Sequence, residues 1–152
     1  MNKRKNDLAS QLEAMQKALD EGKLVEFETH GFSMIPLLHD GGDKVILRKH
    51  KSNLRCGDVA LCRTDEGRFV LHRVVELKNA GYVLQGDNCI NKEFCAGDDD
   101  VIGVAVAFIR KGKKVSVTSR KYMFYVRHRK FFLKLWRTVW RIVDFFIKIF
   151  RR

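Results

Sequence analysis

Residues 59–85 read VALCRTDEGRFVLHRVVELKNAGYVLQ. Three largely apolar runs, 59–64, 68–77 and 82–85, are separated by Asp65-Glu66-Gly67 and Asn79-Ala80-Gly81, residue types that accept tight turns and positive φ. Runs this short joined by such turns predict antiparallel hairpins. Working outward, the pattern recurs at 44–49, 101–110 and 115–118, with Cys56-Gly57-Asp58, Gly86-Asp87-Asn88 and Gly112 as separators. Upstream, Val25, Phe27 and Thr29 alternate with Glu26 and Glu28, the period-two signature of a half-buried strand. The expected fold is mainly β (α+β), a coiled antiparallel sheet flanked by one helix at each end.

The N-terminal helix is predicted from Leu8, Leu12, Met15 and Leu19, which recur at steps of four, three and four. It spans 7–21, with Asp7 as N-cap and Gly22 as stop. At the other end, Lys130, Lys134, Arg137, Arg141, Asp144, Lys148 and Arg151 follow at steps of four and three. On a helix over about 124–150 they fall in one narrow polar stripe. The positions between them, Trp136, Trp140 and several Phe among them, are apolar. The chain thus divides into an N-terminal helix (1–22), a β body (23–119) and a basic, aromatic helix (120–152).

The chain has 152 residues, room for one compact domain with appendages. Thirty Lys and Arg against 18 Asp and Glu give a net charge of +12. Residues 120–152 hold 11 of the basic residues and one acid, so +10 of that charge sits on the last helix and +2 on the rest. A nucleic-acid-binding body would carry its basic patch on the folded domain. This body is nearly neutral, so nucleic acid is not the expected partner. The basic start has no apolar stretch behind it, so no signal peptide is expected. A cytoplasmic, reducing location follows, with Cys56, Cys62, Cys89 and Cys95 as thiols. Their C-x5-C spacing is wider than zinc sites use, so no metal or other cofactor is expected.

Two segments stand out for chemistry. Ser33 lies in a loop, Gly31-Phe32-Ser33-Met34-Ile35-Pro36, directly after the first strand. His72 lies inside Val70-Leu71-His72-Arg73-Val74, where alternation places it on the face of Val70 and Val74 and where a neutral imidazole can serve as a base. Each alone reads as an ordinary loop serine or structural strand histidine.

In order, GFSMIPLL, CGDVALCR, LHRVVEL, GYVLQGDN and DDDVIGVAV resemble, over about residues 25–110, the superfamily of signal peptidases and LexA-type self-cleaving repressors. The resemblance implies that Ser33 is a nucleophile and that His72, ahead of Arg-Val, is its general base, as in the endoplasmic-reticulum type of signal peptidase. His39 shares the Ser33 loop and is the nearest rival base. Asp87 of Gly86-Asp87-Asn88 is the expected partner of the imidazole, with Asp98, Asp99 or Asp100 as the alternative. The Ser33 backbone N–H is the expected oxyanion donor, and Gly31 and Met34 flank it as oxyanion and substrate-binding positions. Gly31 stands where several signal peptidases carry a hydroxyl.

The expected function is therefore a serine endopeptidase acting on a peptide or small precursor protein at the cytoplasmic face of the membrane. Two alternatives share the fold: a non-catalytic peptide-binding or membrane-recruitment protein, and a LexA-type self-cleaving protein. For the last helix three partners compete. It can pack on the β body or in a homodimer, lie on an anionic membrane surface, or bind nucleic acid through basic and aromatic residues. The narrow stripe and wide apolar arc favour the membrane surface. Charges at every third or fourth position exclude a transmembrane span.

Overall fold

The computed structural model describes residues 2–51 and 53–150, without the side chains of 2–9, 136, 137, 144, 145 and 148–150. The chain runs α1 (Asn2–Asp20), β1 (Val25–Glu28), β2 (Lys44–Arg48), β3 (Val59–Arg63), β4 (Phe69–Lys78), β5 (Gly81–Gln85), β6 (Glu93–Cys95), β7 (Val101–Arg110), β8 (Lys113–Ser116) and α2 (Arg120–Phe150). The strands form an eight-stranded sheet in the order β1-β2-β7-β3-β4-β5-β6, with β8 beside β7. Every pairing is antiparallel, as the hairpin signals predict.

The ten-residue β7 holds the sheet together. One of its edges carries β2; the other carries β3 on its first half and β8 on its second, with Val104 opposite both Arg48 and Ala60. Register shifts at Ile46/Leu47, Leu61/Cys62 and Val74/Glu76 are bulges, which bend strands and increase twist. The far end curls back: Asp65 N, in the turn after β3, donates to Phe94 O of β6 at 3.1 Å.

Period-two alternation sends side chains to two cores. Along β3, Val59 and Leu61 join one cluster while Ala60 and Cys62 join the other. The first cluster is covered by Leu12, Met15 and Leu19 of α1 and by Met34, Leu37 and Leu38 of the Ser33 loop; the second fills the space enclosed by β3 to β7. Gly103 admits the helix, because a Cβ there would meet Leu19 Cδ1 and Arg48 O, both at 3.1 Å.

Three boundaries differ from expectation. α1 starts at Asn2, not after an N-cap at Asp7, because residues 2–6 contain no helix breaker and the helix runs on; the Leu8 side chain lies outside the described residues. β8 begins at Lys113, two residues early, because Lys111 (φ 48) and Gly112 (φ 75) form a two-residue hairpin turn that pairs Arg110 with Lys113. α2 begins at Arg120, capped by Ser119, whose Oγ accepts from Tyr122 N at 3.3 Å. β6 has no counterpart among the expected strands.

Candidate active site

The site forms where four segments meet: the loop after β1, the middle of β4, the turn after β5, and β6. The loop carrying Ser33 is pinned at its base by Asp43. This buried carboxylate accepts from His39 N at 3.0 Å and Lys111 N at 3.2 Å, and the Asp43 carbonyl accepts from Thr29 N and Oγ1 at 3.1 and 2.9 Å. Burial pushes the Asp43 carboxyl up, but the hydrogen bonds from His39 and Lys111 and the charge of Arg110 outweigh it, so it lies below its ordinary range. At the loop's tip, Asn88 N donates to Ser33 O at 2.7 Å and Asn88 Nδ2 to Phe32 O at 3.2 Å. The serine is thus tied to the Gly86–Cys89 turn, across 55 residues of sequence.

Ser33 and His72 line one cleft of about 330 Å³, with Gly31, Met34 and His30 beside Ser33 and Leu12, Phe27, Leu38, Leu61 and Phe69 making its apolar wall. Gly86 measures their approach. A Cβ there would lie 2.7 Å from Ser33 O, 3.0 Å from His72 Nε2 and 2.8 Å from Cys89 Sγ, so Ser33 O and His72 Nε2 are less than about 6 Å apart. His72 is only 8% exposed. Its Nδ1 lies 2.6 Å from Glu93 Oε2, and a carboxylate at that place accepts, so Nδ1 is the donor; Nε2 lies beside Gly86 and is the acceptor whenever the ring is neutral. The other oxygen of Glu93 is held by Arg68 Nη2 at 3.0 Å.

The carboxylate assignment from sequence is therefore corrected. Asp87 does not meet His72. It is fully buried, and Arg73 Nε and Nη2 bind it at 2.8 and 2.7 Å, Tyr125 OH at 2.8 Å and Arg129 Nη1 at 2.8 Å. The reason is strand geometry: His72 and Arg73 are neighbours on β4 and point to opposite faces, and Asp87 lies on the Arg73 face. Burial raises the Asp87 carboxyl, but hydrogen bonds and charge from Arg73, with Tyr125 and Arg129, hold it below the usual carboxylate range. The alternative run is elsewhere too. Asp98 accepts from Tyr82 OH and lies 3.4 Å from His50 Nε2, Asp100 is bound by Arg63 Nε at 2.8 Å, and Asp99 is exposed.

The rival base is also engaged away from the cleft: His39 Nδ1 lies 3.3 Å from Asp43 Oδ2. Gly31, at φ 91, adopts a conformation that favours glycine, and its N–H donates to Asp40 Oδ1 at 2.8 Å. Met34 is buried beneath the loop, in the core under α1. The four cysteines are free; Cys62 and Cys95 are buried, and the contact with Cys95, with burial, pushes the Cys62 thiol up. Among the described residues no group of three His, Cys, Asp or Glu is placed to hold a metal ion.

Sequence reading missed two residues of this region. Glu93 sits in a three-residue strand with too few positions for any periodicity to register. Arg73 was visible only as the neighbour of His72, although a charged residue in mid-strand, next to buried Val74, signals a buried partner. In comparisons with known proteins, no family model, no curated protein and no solved structure matches the chain.

Proposed function

We propose that the protein is a serine endopeptidase of the signal-peptidase and LexA type, with Ser33 as nucleophile, His72 as general base and Glu93 as the carboxylate that orients it. The carrying observation is the arrangement around His72: Nδ1 is taken by Glu93 at 2.6 Å, Nε2 lies beside Gly86 within about 6 Å of Ser33 O, and His72 and Ser33 line the same cleft. The chemistry follows from that polarity. Ser33 Oγ attacks a peptide carbonyl and passes its proton to His72 Nε2. The imidazolium so formed is stabilised through Nδ1 by Glu93, the role an acidic residue plays in serine-histidine triads. The oxyanion takes a hydrogen bond from the Ser33 N–H. His72 then protonates the leaving amine, and water, with His72 again as base, releases the acyl group.

The cleft supports a short peptide segment as substrate. Its volume of about 330 Å³ is at the small end of ligand pockets, and its wall of Leu12, Phe27, Leu61 and Phe69 suits one or two apolar side chains. The test is labelling with a fluorophosphonate alongside cleavage of a peptide library. Wild type is expected to be labelled and to cleave next to apolar residues, and Ser33→Ala to do neither. A library bound but uncut by wild type, with no labelling, would overturn the peptidase reading in favour of a peptide-binding protein of the same fold.

A further inference from the structure

The outer half of α2 leaves a large apolar surface uncovered. Phe131, Leu135, Val139, Ile142 and Phe146 fall within about 80° of one another at 100° per residue, and all five are exposed, Phe131 by 65%. Val143, Ile147 and Trp140, also exposed, widen the face to about 180°, with Trp140, 53% exposed, at its edge. Scattered surface apolar residues are ordinary, but a contiguous apolar face of this length marks an interaction site. Opposite its centre stand Lys130, Lys134 and Arg141, exposed and within about 40° of one another. The charges expected at Arg137, Asp144, Lys148 and Arg151 lie outside the described side chains. Among the described residues no helix is long and apolar enough to cross a membrane.

We infer that this half of α2 lies in the headgroup region of an anionic lipid bilayer. Its apolar arc is buried among the acyl chains, and its basic stripe reaches outward to lipid phosphates. Charge decides between the occupants. Residues 120–152 carry +10, so a second copy would bring two strongly cationic helices together, whereas an anionic surface neutralises them. Nucleic acid would meet the charges but leave the apolar arc in water. The first turns of α2 are fixed to the body: Tyr122 OH accepts from Arg73, and Tyr125 and Arg129 both bind Asp87, one residue from Gly86. A helix held in this way keeps the Ser33–His72 cleft at a set distance from the lipid.

Both tryptophans of the chain, Trp136 and Trp140, lie on α2, so their emission reports on this helix alone. Full-length protein is titrated with vesicles of phosphatidylcholine alone and of phosphatidylcholine with one quarter phosphatidylglycerol. Emission is expected to shift blue, and the protein to sediment, with the anionic vesicles. The combined variant Lys130→Glu, Lys134→Glu, Arg141→Glu should bind at least about tenfold more weakly, as should wild type at high salt. Leu135→Ser with Ile142→Ser should lose the shift. These side chains are exposed, so unchanged thermal melting verifies that each variant is folded. No sedimentation with anionic vesicles, or equal binding by the charge-reversed variant, overturns the inference. A blue shift that grows with protein concentration without lipid, or one that oligonucleotides produce and vesicles do not, overturns it in favour of self-association or nucleic acid. Ser33→Ala should bind vesicles as wild type does, so the result is independent of the peptidase reading.

Discussion

Glu93 accepts from His72 on one oxygen and from Arg68 on the other, so Glu93→Gln changes the imidazole's partner while leaving the space filled. The amide cannot stabilise an imidazolium, and its NH2 group can hold the ring in the wrong tautomer. Expected is a fall in kcat of about 10²- to 10⁴-fold with KM unchanged, measured on a peptide the wild type cleaves. An equal rate would remove Glu93 from the mechanism. Gly86→Ala tests the same geometry from the other side. A methyl group there meets Ser33 O at 2.7 Å, Cys89 Sγ at 2.8 Å and His72 Nε2 at 3.0 Å, so the serine loop and the imidazole must part. Overpacking of this kind costs about 1–3 kcal/mol, and activity is expected to fall further than stability does, by comparison of kcat/KM with thermal melting. Neither Ser33 nor His72 stands out alone in the sequence; the order of the segments around them is what singles out both. The acid could not be assigned that way. Asp87 drew attention through Gly86-Asp87-Asn88, yet alternation along β4 already separates the faces of His72 and Arg73, and only the pairing of β5 with β6 brings Glu93 round to the histidine.

At the scale of elements, Asp87 is the joint between β4, the turn after β5 and α2. It accepts hydrogen bonds from two arginines and a tyrosine while itself 1% exposed. Arg73, equally buried, also donates to Gly57 O at 2.7 Å and Tyr122 OH at 2.9 Å, so the cluster has many donors and one carboxylate. Asp87→Asn leaves two guanidinium groups without their counter-charge, and removal of one partner from a buried pair costs about 3–5 kcal/mol. Because Asp87 has its carboxyl lowered in the folded protein, its contribution is complete above the ordinary aspartate range near 3.8 and is lost as pH falls through the lower folded value. Wild type is therefore expected to lose stability steeply on acidification below about pH 4, and Asp87→Asn to show a lower but flatter profile there, by denaturant melts across pH. A slope unchanged in the variant would place the acid sensitivity elsewhere, with Asp43 next in line. The hairpins could be read from the sequence because Asp-Glu-Gly and Asn-Ala-Gly advertise turns. The start of β8 could not, since Lys111 at φ 48 is an unusual residue for its turn.

At the scale of the whole molecule, α2 serves two ends of one rod about 46 Å long. Its first turns complete the body: Tyr122 is 6% exposed against Phe108, with ring centroids 5.3 Å apart, and Tyr125 stacks on Phe132 at 6.2 Å. From Leu135 on the described apolar residues are exposed. The composition split at residue 120 captured the charge of this helix, but a boundary drawn there passes through the packing, because amphipathic periodicity is continuous across 120–150 and carries no mark of where burial stops. The consequence is a sharp difference between two truncations. A chain ending at 133 keeps Tyr122, Tyr125, Arg129 and Phe132, and should melt close to full length and cleave a soluble peptide at the full-length rate. A chain ending at 119 removes Tyr125 and Arg129, two of the three side chains that bind Asp87, and also uncovers Phe108. The loss of buried Tyr122 alone costs on the order of 3 kcal/mol or more, and partly buried Tyr125 goes with it, together a large part of a small domain's stability. That chain is expected to unfold or aggregate at temperatures where the longer one stays folded, read by circular dichroism and size exclusion. Equal stability of the two would mean that the Arg73–Asp87 pair closes without α2 and that the helix is an appendage throughout.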